Sequence, residues 1–209
     1  MGSRRALLLM SVLFFAALPS GRLRAQAEGQ VLEFESGGLR YTAITHNGVT
    51  IMFAPLPARV LGYSILQVAI SNGSPVSWSI RPEDFRFESD RGVTINALPA
   101  GTVIRNLLKR AGRGDVSKLI VAYEAALTGN AVVHSTNGYE ARRQDALAIG
   151  TGKLKAAAAA SAIALVTTKL EPGQSTDGAV FYDSSGKPLG AGRLMVEMAD
   201  EMFDFPVGP

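Results

Sequence analysis

The stretch KLKAAAAASAIALVTTKL, residues 153–170, constrains the fold of this chain more than any other segment. Its apolar part, Ala156 to Val166, presents no polar face when wound as a helix and consists largely of small residues. As a helix it spans about 16 Å, roughly half of a hydrocarbon core. It also sits between Lys155 and Lys169. The run therefore predicts a core helix rather than a membrane span, packed where alanines let neighbouring backbones come close. Something else in the chain must supply the surfaces that cover it.

A second apolar run opens the chain. MGSRRALLLMSVLFFAALPSGRLRAQA places two arginines before an unbroken apolar stretch from Ala6 to Leu18, then Pro19, then the small residues Ala25 and Ala27 around one intervening position. That order is the pattern of a secretory signal peptide at 1–27, with a mature chain beginning at Glu28. Arg22 and Arg24, between the apolar run and the cut, are unusual for such a leader, and SRRALL at Ser3 to Leu8 also resembles a twin-arginine signal. Both export routes stand. Ala6 to Leu18 is shorter than the ~20 residues of a spanning helix, so no transmembrane helix is expected in the mature chain.

The leader also explains the basic balance. Of the 21 Lys and Arg, four lie within 1–27, and all 18 acidic residues follow it, so the remaining 182 residues carry a net charge of −1. No basic field is left to attract phosphates, which argues against nucleic-acid binding. The chain has no cysteine, which excludes disulfides, thiolate metal sites, a catalytic thiol and lipoprotein attachment. An exported domain of this kind must be held by its hydrophobic core.

From Glu28 to Leu98 the hydrophobic period is mostly two. Tyr41 to Ala54 has apolar and β-branched residues on both sides of Asn47-Gly48, a pair that suits a tight type I′ hairpin because both positions need positive φ. Leu66, Val68 and Ile70 line one face of a predicted half-buried strand, with Gln67 and Ser71 on the other. Phe85 and Phe87 alternate with Arg86 and Glu88, and Val93 to Ile95 follow the Gly92 turn. After Glu171 the same period returns in Ala179 to Asp183 and Arg193 to Met198, and MFDFPV at 202–207 reads as an edge strand.

Between these β regions the period becomes helical. Val103, Ile104, Leu107, Leu108 and Ala111 form one stripe; Val116, Leu119, Ile120, Tyr123 and Leu127 form a second, with Asp115 placed to cap it. A third, more polar helix is predicted over Tyr139 to Ile149, and the alanine run is the fourth. No repeat or clean linker divides the chain. The expectation is α+β: one antiparallel β-sandwich domain over 28–209, interrupted by a helical insertion at about 100–170.

Two stretches carry a family resemblance. LQVAISNGSPVSWSIRPEDFRFESDRG (Leu66 to Gly92) pairs an apolar strand and Asn-rich turn with Pro-x-Asp-Phe and an aromatic strand; LEPGQSTDGAVFYD (Leu170 to Asp183) supplies a Pro-Gly turn and a glycine before a strand. Together they resemble the small secreted immunoglobulin-like sandwiches of bacteria. The likeness covers under a third of the chain and departs from the pattern in the roughly seventy helical residues between the two motifs. It implies an immunoglobulin-like fold and an extracytoplasmic life, with binding or adhesion more usual than catalysis, and it carries no catalytic residue over.

Candidate sites are few. There is no Gly-x-Ser-x-Gly elbow, and His46 and His134 have no obvious partners; a triad using His134 and Ser135 needs a geometry that sequence neighbours rarely provide. GTGKLK at Gly150 to Lys155 departs from a phosphate loop at Leu147 and Leu154, and a helix start accounts for it. Glu83, Asp84, Asp200, Glu201 and Asp204 lack the ligand spacing of a calcium loop, so no metal or cofactor is expected. Arg113-Gly114-Asp115 matches an integrin-binding tripeptide but also serves as a turn and cap. Asn72-Gly73-Ser74 is a glycosylation sequon weakened by Pro75. The most distinctive polar segment is GYEARRQDA, where Glu140 and Arg143 lie one turn apart and Arg142 and Asp145 add a second charged edge. These four form the candidate binding face for another envelope or extracellular protein, or for an anionic glycan. The expected function is thus an exported, non-enzymatic binding or surface-assembly module; the alternative is an exported hydrolase whose polar groups meet only in three dimensions.

Overall fold

The structure, a computed structural model, describes residues 29–112, 114–119, 121–122 and 153–208. The fold is α+β. Among the described residues eleven strands occur in chain order: β1 (Leu32–Ser36), β2 (Leu39–His46), β3 (Val49–Pro55), β4 (Tyr63–Asn72), β5 (Trp78–Ile80), β6 (Phe85–Ser89), β7 (Thr94–Leu98), β8 (Thr168–Leu170), β9 (Ser175–Asp183), β10 (Gly192–Met198) and β11 (Glu201–Val207). Nine of them form one sheet in the order β1-β2-β3-β4-β9-β7-β6-β10-β11, and β5 pairs with β8 in a small second sheet. Helices α1 (Ala100–Arg110) and α2 (Lys153–Ile163) lie between β7 and β8.

The Asn47-Gly48 hairpin forms as its sequence demands. His46 faces Val49 across the turn, and Asn47 and Gly48 both have positive φ, at 48° and 76°. Phe85 and Phe87 point inward from β6, as their alternation requires. MFDFPV lies within β11, the last strand in the sheet order. Val93, by contrast, stays outside β7 and is exposed, because the Gly92 turn continues one residue further.

The strand expected to be half-buried is buried on both faces. Tyr63, Ile65 and Ala69 of β4 join the core beneath the helices, and Leu66, Val68 and Ile70 join the core on the opposite side. Gln67 is fully buried in the helix-side face, where its Nε2 donates to Asp177 Oδ2 at 3.4 Å. The reason is architectural: the sheet curls until β11 lies against β2, so its inner face is closed by the sheet itself. Phe53 of β3 meets Phe205 of β11 edge-on at 5.3 Å, and Ile51, Val180, Leu194 and Val196 fill the space between. The outer face of the central strands is covered by α1 and α2.

The alanine run does what its composition requires. Ala156, Ala157, Ala159, Ala160, Ala162 and Ile163 are buried, and α2 packs against α1 through Val103, Leu107 and Ala111. Leu108, placed in the predicted stripe, is exposed. No helix among the described residues is long and apolar enough to cross a membrane. The helix also ends earlier than Val166. Ala164 N makes the last helical bond, to Ala160 O, and Leu165 N instead donates to Ala179 O in β9.

That switch marks where the chain crosses the sheet. β7 pairs with β9 only at Ala97 and Leu98, so the flank of β9 near Ala179 is open. Ala164 bridges to Ala179 there; it belongs to the helix-side core, and Leu165 belongs to the inner one. The backbone of Leu165 passes so close to Gly178 that a Cβ on Gly178 would lie 2.6 Å from Leu165 Cα. Gly178→Ala is therefore expected to destabilise the fold by about 3 kcal/mol, as an overpacked core position does, measured by urea denaturation.

Two buried tyrosines tie stability to alkaline pH. Burial, reinforced by the Asp177 charge, pushes the Tyr41 hydroxyl up to about 12, and burial alone pushes Tyr182 upward too. In the unfolded chain these phenols ionise near pH ~10. Their stabilising effect is complete below that value and is lost as pH rises through the folded pKa, because only the unfolded state releases the proton readily. Neither hydroxyl has a hydrogen-bond partner among the described residues, so Phe replaces either with little loss. Tyr41→Phe with Tyr182→Phe should flatten the fall in stability between pH 10 and 12, followed by denaturant titration across that range.

Candidate functional site

The connections β3–β4, β6–β7 and β9–β10, together with the end of β11, gather at one end of the curled sheet. The residues there follow from strand geometry: Pro55 and Pro57 end β3, Gly92 turns β6 into β7, and Gly186 and Gly190 turn β9 into β10. The start of the helical segment at 114–119 joins them.

These loops are locked together by backbone bonds. Gly62 O accepts from Ser184 N at 3.2 Å and Gly186 N at 2.9 Å; Arg59 Nη1 donates to Gly186 O at 2.9 Å. Ser64 Oγ lies 2.9 Å from Ser184 Oγ and donates to Lys187 O at 3.0 Å. Leu61 holds φ at 50°, a left-handed conformation unfavourable for a branched aliphatic residue, and its N–H donates to Asp115 Oδ1 at 3.3 Å. Ser185 beside it is also left-handed, at φ 51°. Such strain persists where surrounding bonds over-determine the backbone, and it concentrates at functional positions.

The locked loops shape four adjoining grooves. The first, about 290 Å³, has an apolar lining that includes Pro55, Leu66, Phe87, Leu189 and Val207, with Arg59 at its side. Pro188, Leu189 and Gly190 separate it from a second groove of about 590 Å³, where Val93 and Ile95 lie beside Arg91 and Lys187. A third, about 440 Å³, runs from Arg59 past Leu61 to Lys118, and a fourth, about 260 Å³, lies between Pro57 and Val121. Among the described residues, four cations, Arg59, Arg91, Lys118 and Lys187, line these grooves against one acidic side chain, Asp90. Nearby Asp115 and Asp183 are engaged by backbone N–H groups, of Leu61 and Gly112 and of Ser185. Among the described residues this end thus sets four cations against Asp90, Asp115 and Asp183, a small positive excess in a chain with 17 basic and 18 acidic residues after position 27.

A fifth depression, about 390 Å³, lies on the outer sheet surface among Arg81, Asp84, Arg86, Asn96 and Glu197. Its charges largely neutralise one another. Asp84 is buried, accepts from Arg81 Nε at 3.0 Å and Nη2 at 2.7 Å, and caps the Pro82–Asp84 turn through Arg81 N. The Asp84 hydrogen bonds in turn raise the Arg81 pKa and keep it charged.

Glu140, Arg142, Arg143 and Asp145 lie outside the described residues, as do the predicted helix at Tyr139 to Ile149 and His134. His46 has a partner that the sequence did not suggest. Its Nδ1 lies 3.1 Å from Glu201 Oε2, close enough for an ion pair but not aligned as a hydrogen bond, and Asn47 Nδ2 donates to Glu201 Oε1 at 2.6 Å. This pair clasps β2 to β11 and lines none of the five depressions. The acidic residues considered for calcium are dispersed: Glu201 to His46, Asp204 to Arg193, Asp84 to Arg81. No three metal-ligating side chains gather among the described residues.

Asp115 caps the helical turn, though from a different position than its place in the sequence suggests. It caps from the third position of the helical turn rather than from the cap position itself: Gly112 O accepts from Val116 N, and Asp115 Oδ2 accepts from Gly112 N at 2.8 Å, while Oδ1 accepts from Leu61 N. Asn72, the sequon residue, is fully buried. Its Nδ2 donates to Val76 O at 2.8 Å and Leu170 O at 3.0 Å, and its Oδ1 accepts from Ser74 N and Oγ. Ser74 Oγ also accepts from Trp78 Nε1 at 2.7 Å. No glycan can be attached to an amide so enclosed.

Arg59, Arg91, Lys118 and Lys187 were not singled out in the sequence. The available signals were PLPARVLG at 55–62 and SSGKPLG at 184–190, two turn-rich segments each carrying a cation beside prolines and leucine. No family model, curated protein or solved structure matches the chain.

Asn72→Ala should cost about 3 kcal/mol, because it removes the buried donor to the Leu170 carbonyl and the buried acceptor of Ser74 N; equilibrium unfolding of the two proteins measures it.

Proposed function

We propose that this chain is an exported, non-enzymatic binding or surface-assembly module whose binding face is the grooved end of the sheet. The observation that carries the proposal is the coincidence of four adjoining grooves, four lining cations and loops held rigid by cross-bonds in one place. Preorganised loops bind without a large ordering cost, which is the property a recognition surface needs. Positively framed apolar grooves suit a protein partner bearing acidic and apolar groups, which another envelope or extracellular protein can supply.

The leader at 1–27 and the periplasmic or extracellular location belong to the same proposal and rest on the sequence pattern of Met1 to Ala27. So does kinship with immunoglobulin-like sandwiches. It is supported by antiparallel pairing throughout the nine-stranded sheet and by the packing of β11 on β2 and β3, with the helices entering as an insertion. The hydrolase alternative rests on the His46 and Glu201 pair, and a substrate screen with His46→Ala as control addresses it.

Site-specific photocrosslinking in intact cells tests the binding face. A photoreactive residue at Val93, 55% exposed at the grooved end, is compared with one at Val76, 56% exposed at the opposite end. A discrete adduct from Val93 alone is expected. Equal adducts from both positions, or none from Val93, would overturn the proposal.

A further inference from the structure

We infer that the groove between Pro55, Phe87, Leu189 and Val207 receives an apolar side chain from an acidic peptide segment of the partner protein. This deepens the binding proposal and rests on it. Three observations select that occupant. The groove is apolar on its floor and about 290 Å³ in volume, suited to an inserted side chain. Its flanks are basic: Arg59 lines it directly, and Lys187 and Arg91 line the adjoining groove beyond the Pro188–Gly190 wall. Neither Lys187 nor Arg91 has an ionic partner among the described residues, so both charges are available to carboxylates.

The third observation separates a peptide from an acyl chain, which would also fill an apolar slot beneath cations. The backbone N–H groups of Leu189 and Gly190, on the wall between the two grooves, have no protein acceptor among the described residues. Gly190, at φ 75°, turns the backbone there. Peptide carbonyls and side-chain carboxylates accept from such groups along the wall; a hydrocarbon tail does not, and a lipid headgroup phosphate, which also accepts, is distinguished by the vesicle control below. The expected mode is an anchor residue seated against Phe87 and Leu189, with acidic neighbours over Arg59 and Lys187.

The test uses fluorescence anisotropy with a labelled synthetic hexapeptide, Asp-Glu-Leu-Phe-Glu-Asp. Controls replace Leu and Phe by Ser, or the four acids by Lys; phosphatidylglycerol vesicles probe the lipid alternative. Saturable binding is expected that weakens at least tenfold with either control peptide, with Leu189→Ser, and with Arg59→Glu combined with Lys187→Glu. It should also weaken as salt rises. Circular dichroism checks folding, and Lys187→Glu alone, at an exposed side chain, decides the matter if Leu189→Ser is unstable. Binding to vesicles but not the peptide, unchanged binding in the charge variants, no binding, or self-association lost in the same variants would each overturn the inference. If the peptide fails while the Val93 adduct persists, this inference falls and the binding proposal stands; if both fail, both fall.

Discussion

The fold depends on the burial of β4 and β9 on both faces. A strand pair covered on two sides contributes twice the apolar surface of a half-exposed one, and it stabilises only if the chain provides two covers. One cover comes from curling the sheet until β11 meets β2 and β3; the other comes from α1 and the alanine helix. Neither is optional, because β4 and β9 contribute Ile65 and Phe181 to the helix side and Leu66 and Val180 to the inner side. The small residues of α2 belong to this requirement, since only short side chains let two helices and a sheet approach together.

The parts of this arrangement that were legible in the sequence are those encoded within a few residues. Asn47-Gly48 specifies its hairpin because the left-handed backbone of both positions is a local demand. The alanine run announces its burial by lacking a polar face. Gln67 misled because a single amide on a strand normally marks solvent; its buried partner, Asp177, lies 110 positions away and no local rule connects them. The end of α2 was only weakly signalled: the β-branched Val166, Thr167 and Thr168 disfavour a helix without fixing where it stops, and the competing acceptor is the Ala179 carbonyl in a distant strand. Asp115 has the right residue type for a cap and does cap, but its second oxygen also accepts from Leu61, 54 positions away, which no local rule connects.

The grooved end was illegible as a site because it has no contiguous sequence. Arg59, Arg91, Lys118 and Lys187 each sit alone among neutral neighbours or beside an opposite charge, and only strand topology collects them. Sequence reasoning favours clustered charge, as in Glu140 to Asp145, over charge that converges from four connections. The apolar parts of the grooves are similarly hidden, because prolines and leucines in turns read as ordinary punctuation until the turns are fastened to one another.

The crossing at Ala164 and Leu165 bears on how the molecule is assembled in time. The β2–β3–β4 meander needs only near neighbours, but Ser64 and Ser184, joined across β4 and β9, are 120 positions apart. High average contact order slows folding, because the entropy of closing a long loop is lost before the pairing compensates it. Here the obstacle is also topological: β8 and β9 can dock only after the segment from α2 has been drawn across the sheet. A vectorially synthesised chain would therefore carry an open hydrophobic meander until β9, beginning at Ser175, emerges, a period in which holding factors, rather than native contacts, keep it from aggregating.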